Sequence, residues 1–372
     1  MNLIRRTAVL AALSGVAVAS LGATGSAIAR PKAPAAAHHA TKTKRPAAAA
    51  AGFLARSLIG KHHDHLDGSY VSGKKTIVYV NYGETADAIL SMDAAHVAQA
   101  AAARATRYLE AHVKAYAGHS VATYDPGAFG KLLLVAEAQR VDVHSFGGLN
   151  LVNAVKATEG VRGAAPGEFQ QNQKGTKPSF DYFSTVGQAL AVLGLANSPH
   201  AADAPDAAAV SFLAAQQCGD GGYPTELESD PATACKAVKD VDSTGYAVQA
   251  LLAARDHTAA TLGLTWLKRA EHSGGGFGTP ANANSTALAV QALIAGGKSA
   301  TKPQKWLEKH QVGCTGRVAR RGAVRYQGSY DAAALLATSQ AAQALAGKPL
   351  ARITKTGAAK AAPVLACTAK RK

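Results

Sequence analysis

The chain has 372 residues, 48% of them hydrophobic and 6% aromatic, with 40 Lys and Arg against 24 Asp and Glu for a net charge of +16. Most of that charge sits at the two ends, so residues 52–347 carry only +2. This excludes a nucleic-acid reader, whose basic stripe belongs on the fold with aromatics between the cations. No run beyond the first thirty residues is apolar and long enough to span a bilayer, so no transmembrane segment is expected in the mature chain.

Residues 1–29 combine a basic start (Arg5, Arg6), an apolar run over 7–23 and the small-x-small sequence Ala27-Ile28-Ala29. This is the pattern of a secretory signal peptide cleaved near Ala29, and it predicts an extracellular protein. The paired arginines lack the flanks of a twin-arginine signal, so ordinary secretion is the expected route. Residues 30–51 are Pro, Ala, Lys and His without an acid, which predicts a disordered basic linker. Residues 348–372 also lack acids and read as a basic tail. Both ends suit weak attraction to anionic wall polymers or lipid head groups, or simple solubilisation.

Between the ends, an aromatic behind a glycine or polar turn recurs at Tyr70, Tyr124, Phe169, Tyr223, Phe277 and Tyr326, spaced 45 to 54 residues apart. A fixed period of this size marks stacked copies of one supersecondary unit. Outer helices are expected near 53–58, 101–116, 207–217, 262–270 and 303–311. Inner helices, rich in Ala and Gly, are expected near 85–92, 128–139, 184–196, 243–254, 285–295 and 338–346. Three of the inner helices open on Ser-Thr pairs (Ser184, Ser243, Ser285), which are N-cap signals, and Asp242 and Asn284 directly precede two of them. Few stretches alternate like strands, 76–81 being the longest. The expectation is an all-α chain of about six helical hairpins that close into a ring, over residues 52–347.

Four cysteines follow the signal, an even count that favours disulfides in an exported chain. Cys218 and Cys235 flank the turn of the fourth repeat, and Cys314 holds the corresponding place in the sixth. The pairs are therefore Cys218–Cys235 and Cys314–Cys367. No pair has zinc-knuckle spacing, and neither a metal nor a cofactor is expected.

Phe212-Leu213, Gln216-Gln217 and Gly222-Tyr223, followed by Asp240-Val241-Asp242-Ser243-Thr244, resemble the repeat of squalene–hopene cyclases and protein prenyltransferases. The resemblance implies an α/α toroid. The same toroid serves transcobalamin-like vitamin carriers, so fold does not choose function. In class II terpene cyclases a related acidic run donates a proton to an alkene, which implies Asp242 as donor with Asp240 beside it. Here Ser243 replaces the last acid, and aromatic walls for carbocations are scarce. Asp242 is therefore expected to be an ionised helix cap worth ~1 kcal/mol. His62-His63-Asp64-His65 lacks a fourth ligand at defined spacing and reads as a solvated loop. Arg317, Arg320, Arg321 and Arg325 crowd one turn, as a phosphate-binding cluster or a solvated loop.

The sequence reading is thus a secreted, non-catalytic binding or surface-interaction module, with a squalene-cyclase-like enzyme using Asp242 as the alternative. Its ligand is a small molecule or cell-envelope component at the mouth of the inner ring. Tyr223, Tyr246, Phe277, Arg321, Arg325 and Tyr326 are the expected binding residues, with helix dipoles favouring anionic groups.

Overall fold

The computed structural model describes residues 45–120, 123–160, 165–171, 184–228, 235, 238–365 and 367. The expected signal peptide and most of the expected linker lie outside them.

Six inner helices run side by side: α2 (Tyr82–Ala94), α5 (Pro126–Gln139), α7 (Thr185–Ala196), α9 (Val241–Ala253), α11 (Ala283–Ala295) and α13 (Ala334–Leu345). Each packs on the next, and α13 returns to α2, so the ring closes. Outside it lie α1 (Pro46–Ser57), α3 (Gln99–Ala111), α6 (Leu151–Lys156), α8 (Ala207–Ala215), α10 (His257–Ala270) and α12 (Thr301–His310). A five-residue helix, α4 (Val113–Ala117), extends α3. This is the α/α toroid expected from the period. Three small antiparallel pairs join it: β1 (Asp67–Ser72) with β2 (Lys75–Val80), β3 (Gly118–Ser120) with β4 (Thr123–Tyr124), and β5 (Tyr223–Pro224) with β6 (Lys239–Asp240).

The inner helices are parallel and in register. Gly127 in the first turn of α5 lies against Gly187 in the first turn of α7, and Gly130 lies against Leu190. A Cβ on Gly130 would sit 2.2 Å from the Leu190 carbonyl oxygen, so only glycine lets these two backbones approach so closely. Ser91 of α2 donates to the Ser339 carbonyl of α13, tying the seam where the ring closes.

A repeated latch joins the turn to its inner helix in the first, fourth and fifth units, and in part in the sixth. Asn81, Asp240 and Asn282 cap α2, α9 and α11, each accepting the N–H three residues on, from Glu84, Ser243 and Ser285. One residue later a threonine bonds back to the cap carbonyl: Thr85 to Asn81 at 2.7 Å, Thr244 to Asp240 at 2.7 Å, Thr286 to Asn282 at 2.6 Å. The same hydroxyl accepts a turn N–H, from Leu66, Tyr223 and Phe277 respectively. Val324 donates likewise to Thr338. The core position of the repeat is thus Leu66 in the first unit and Val324 in the sixth, rather than Tyr70 and Tyr326.

Three further expectations are corrected. The third outer helix, α6, lacked a visible signal because it is only six residues long. The linker ends by residue 45: α1 begins at Pro46, and Ala48, Ala49, Ala50 and Ala51 are buried in the wedge that α1 fills against α2 and α13. Small side chains are what that close contact needs, although their composition reads as disorder. The C-terminal stretch is not a free tail over residues 348–365. Leu350 and Ile353 are buried, the Leu350 N–H donates to Gln249, Lys355 N–H to the Ala138 carbonyl, and Ala359 N–H to His96. It crosses the C-terminal end of the inner barrel and plugs it.

Both expected disulfides form, Cys218–Cys235 with Cα atoms 5.4 Å apart and Cys314–Cys367 with Cα atoms 5.6 Å apart. The second fastens the crossing segment to the last repeat. Among the described residues no helix is long and apolar enough to cross a membrane.

Candidate functional site

The open end of the barrel is where the inner helices begin, and it gathers ionisable groups that elsewhere in such a core would be excluded. Asp87 of α2 and Lys131 of α5 form an ion pair at 3.0 Å with both side chains buried. Burial holds the Asp87 carboxyl above its usual range, and Lys131 draws it back. One turn earlier, Glu84 is pushed up to about 8, by burial first and then by Asp87. Asp125 caps α5, accepts from Ala128 at 3.0 Å and from the Gln171 amide at 2.9 Å, and is raised to about 6 by burial. Tyr116 and Tyr246 are buried among these acids, near enough to Asp87 that its charge raises both phenols further. The Asp242 charge acts on Tyr246 in the same direction.

Asp242 does not have the expected role. The cap of α9 is Asp240, whose Oδ2 accepts both the N–H and the hydroxyl of Ser243, at 2.8 and 2.9 Å. The helix therefore starts two residues before Ser243, because a cap bonds the third N–H of its helix. That places Asp242 in the first turn, 6% exposed, with Oδ1 lacking any hydrogen-bond partner. Burial, then the neighbouring Asp240 charge, raise its pKa to about 7, while the Ser285 hydroxyl from α11 opposes the shift. A carboxyl expected to be ionised is thus held near half-protonation at neutral pH. Asn284 occupies the equivalent first-turn position of α11, and its Oδ1 also has no partner. Tyr326 is half-buried beside this pair, with its phenol raised by burial and by Asp242 and Asp240.

Of the other residues singled out from sequence, Tyr223 and Phe277 are fully buried in the packing between turn and helix, away from any opening. Arg321 donates Nε to the Gly316 carbonyl, and Arg325 spends its guanidinium on the carbonyls of His310, Lys309 and Gly328. His65 pairs with Asp64 at 2.8 Å and stacks on Tyr108, and His63 bonds the Leu58 carbonyl. The structure therefore joins Asp240, Asp242, Tyr246 and Tyr326, and leaves the rest outside the mouth.

Glu84, Asp87, Asp125 and Lys131 were missed. For Asp87 and Lys131 a signal was available, a charge set between apolar neighbours, as in Ala86-Asp87-Ala88-Ile89-Leu90 and Phe129-Gly130-Lys131-Leu132-Leu133. The acids also change the electrostatic setting of the mouth. The positive helix ends at the mouth already face the carboxyls of Glu84, Asp125 and Asp242 rather than open space.

Deeper in, the barrel holds amides in place of an aromatic or aliphatic filling. Gln291 donates to Gln343 at 2.8 Å, Gln343 to the Asp87 carbonyl, and Gln139 to both oxygens of Asp93. A cavity of about 30 Å³ beside Tyr116, Asp125 and Lys131 has room for about one water.

Scanned against models of known families and against curated proteins, the sequence matches none. Its structure does have counterparts. The unsaturated glucuronyl hydrolase of Bacillus sp. GL1 superposes with a TM-score of 0.57 at 12% identity, over 81% of this chain and 95% of that one. The apo type II terpene cyclase MstE from Scytonema gives 0.55 at 12% identity, over 81% and 96%. A protein from Actinoplanes gives 0.50 at 16% identity, over 82% and 99%. The shared property is the α/α toroid.

Proposed function

We propose that the protein is a toroid enzyme that receives a small molecule at the mouth of its inner barrel and protonates it from Asp242. The observation supporting this is the state of that carboxyl: buried, beside Asp240, near half-protonation at neutral pH, with one oxygen unpartnered. A general acid must hold its proton near working pH and present it within hydrogen-bond reach of the substrate. Perturbed acids gathered in one place are a recognised mark of such sites. In the step proposed, the proton leaves Asp242 for a basic atom of the substrate, an alkene carbon or an ether oxygen. The resulting carboxylate is stabilised by the Ser285 hydroxyl and by the positive end of α9. Tyr116, Tyr246, Tyr326 and the Asn284 amide would make the mouth polar, which favours a neutral, hydroxyl-bearing substrate over a bare hydrocarbon. The two named neighbours are a glucuronyl hydrolase and a terpene cyclase, so enzymes of more than one kind are built on this fold.

A second reading keeps the site and removes the turnover: a secreted binding module, as the sequence favoured. The cavity beside Tyr116 holds about one water, so under either reading the ligand would sit on the mouth and not inside the barrel. Export fits both readings, as two disulfides suit an oxidising compartment, and the basic ends would then meet anionic wall polymers or lipid head groups.

Native mass spectrometry of protein recovered from its own culture medium tests the site, through a co-purifying small molecule. Incubation of that molecule with wild type and with Asp242→Asn separates the readings. Conversion by wild type and binding without conversion by the variant are expected. Equal conversion by both would end the general-acid reading, and binding without conversion by either would leave the module. A ligand whose retention is unaffected by Asp242→Asn and by Tyr246→Phe together would place the site elsewhere.

A further inference from the structure

On the outer side of the last repeat a groove of about 620 Å³ shares no lining residue with the barrel cavity. Helix α12 contributes Lys305 and Lys309, one turn apart, and the following loop contributes Arg317, Arg320 and Arg325. The acid in the lining is Glu308, so five cations face one carboxylate. None of the five is within 4.0 Å of a carboxylate among the described residues, whereas Lys131, Lys239, Lys268 and Lys302 all are.

The loop is built rather than loose. Cys314 in its wall is bonded to Cys367. The Arg325 guanidinium donates to three carbonyls and pins residues 325–328 to the end of α12. The Arg320 guanidinium lies over the Tyr330 ring at 4.3 Å, which fixes its plane. Lys305, Lys309 and Arg317 remain exposed and unpaired around these fixed points. A cleft lined by one sign of charge focuses its field and concentrates counter-ions. Arginine forks match phosphate oxygens, and lysine adds point charge. The volume is that of a drug-sized ligand and not of a single ion.

We propose that this groove binds a linear chain of phosphate groups. Isothermal titration of the full, oxidised protein with tripolyphosphate is the test, with inorganic phosphate and citrate as comparisons. Tripolyphosphate should bind, and both comparisons should be at least tenfold weaker. Lys309→Gln/Arg317→Gln/Arg320→Gln should weaken tripolyphosphate at least tenfold. Arg317→Gln alone, at an exposed position that cannot disturb the fold, should weaken it about threefold. Lys61→Gln/Lys74→Gln/Lys75→Gln removes the same charge from the first-repeat loop and hairpin and should change affinity less than twofold. Equal loss in that control, or unchanged binding in the groove variants, would overturn the proposal by assigning the attraction to net charge. Inorganic phosphate or citrate as tight as tripolyphosphate would overturn the phosphate-chain assignment.

Discussion

Replacing Asp242 by Asn tests the carboxyl without changing its shape. In the unfolded chain Asp242 ionises near 3.8, and in the folded protein near 7. Below 3.8 both states hold the proton, so it contributes nothing. As pH rises from 3.8 to 7 the unfolded chain ionises first, and the fold loses stability with each step. Above 7 both states are ionised and the full cost remains. At about 1.4 kcal/mol per pH unit, the gap gives a cost on the order of 4 kcal/mol at pH 8. Asparagine cannot ionise, so the variant escapes it. In a domain of this size 1 kcal/mol moves the melting temperature by roughly 2 °C. Asp242→Asn should therefore melt about 6–8 °C higher than wild type at pH 8. The difference should narrow steadily toward pH 4.5, and should be flat between pH 7.5 and 8.5. Differential scanning calorimetry across that range is the assay. Glu84, Asp93 and Asp125 titrate in both proteins and cancel in the difference. A difference that is constant with pH, or a variant less stable throughout, would show that Asp242 is ionised and stabilising, as a cap would be.

Lys131→Met leaves Asp87 buried without its partner and should cost about 3–5 kcal/mol, most of it regained in Asp87→Asn/Lys131→Met; urea unfolding of the three proteins checks this. Gly130→Ala should cost about 1–3 kcal/mol or more, because its methyl meets the Leu190 backbone and neither helix can yield without opening the ring; thermal melts read it. Cys314→Ser/Cys367→Ser opens a loop of 53 residues and should lose up to about 4 kcal/mol. Limited proteolysis should then cut first within residues 348–367, and unchanged resistance would contradict the fastening role.

The toroid was legible because its causes are local and repeated. Gly222-Tyr223 and Gly276-Phe277 each precede a capped, threonine-latched helix, and the copies reinforce one another. The cysteine pairs were legible for the same reason, as Cys218 and Cys314 hold equivalent places. The barrel mouth was not. Asp87 and Lys131 are 44 residues apart on different helices, and only the packing of α2 against α5 brings them together. Asp242 was misread by one step of the cap pattern: with Asp240 two residues ahead, either acid satisfies the local rule. The three-dimensional burial of the second is what separates them. The short helix Leu151–Lys156 and the alanines of Pro46–Ser57 are defined by the neighbours they touch, and composition alone carries no trace of those.

The seam between the first and last inner helices governs how such a chain can be made. Ser91 and Ser339, bonded across it, are separated by 248 positions, and the wedge beginning at Pro46 leans on a helix that ends at Leu345. An open solenoid acquires stability one unit at a time as it emerges, and tolerates gain or loss of a unit. A hoop has no such partial credit: its first two hairpins present unmatched flanks until the sixth arrives. Deleting a single unit would leave an arc that cannot meet itself. Synthesis from the amino end therefore keeps the early hairpins waiting, with the long-range contacts of the seam forming last and slowly.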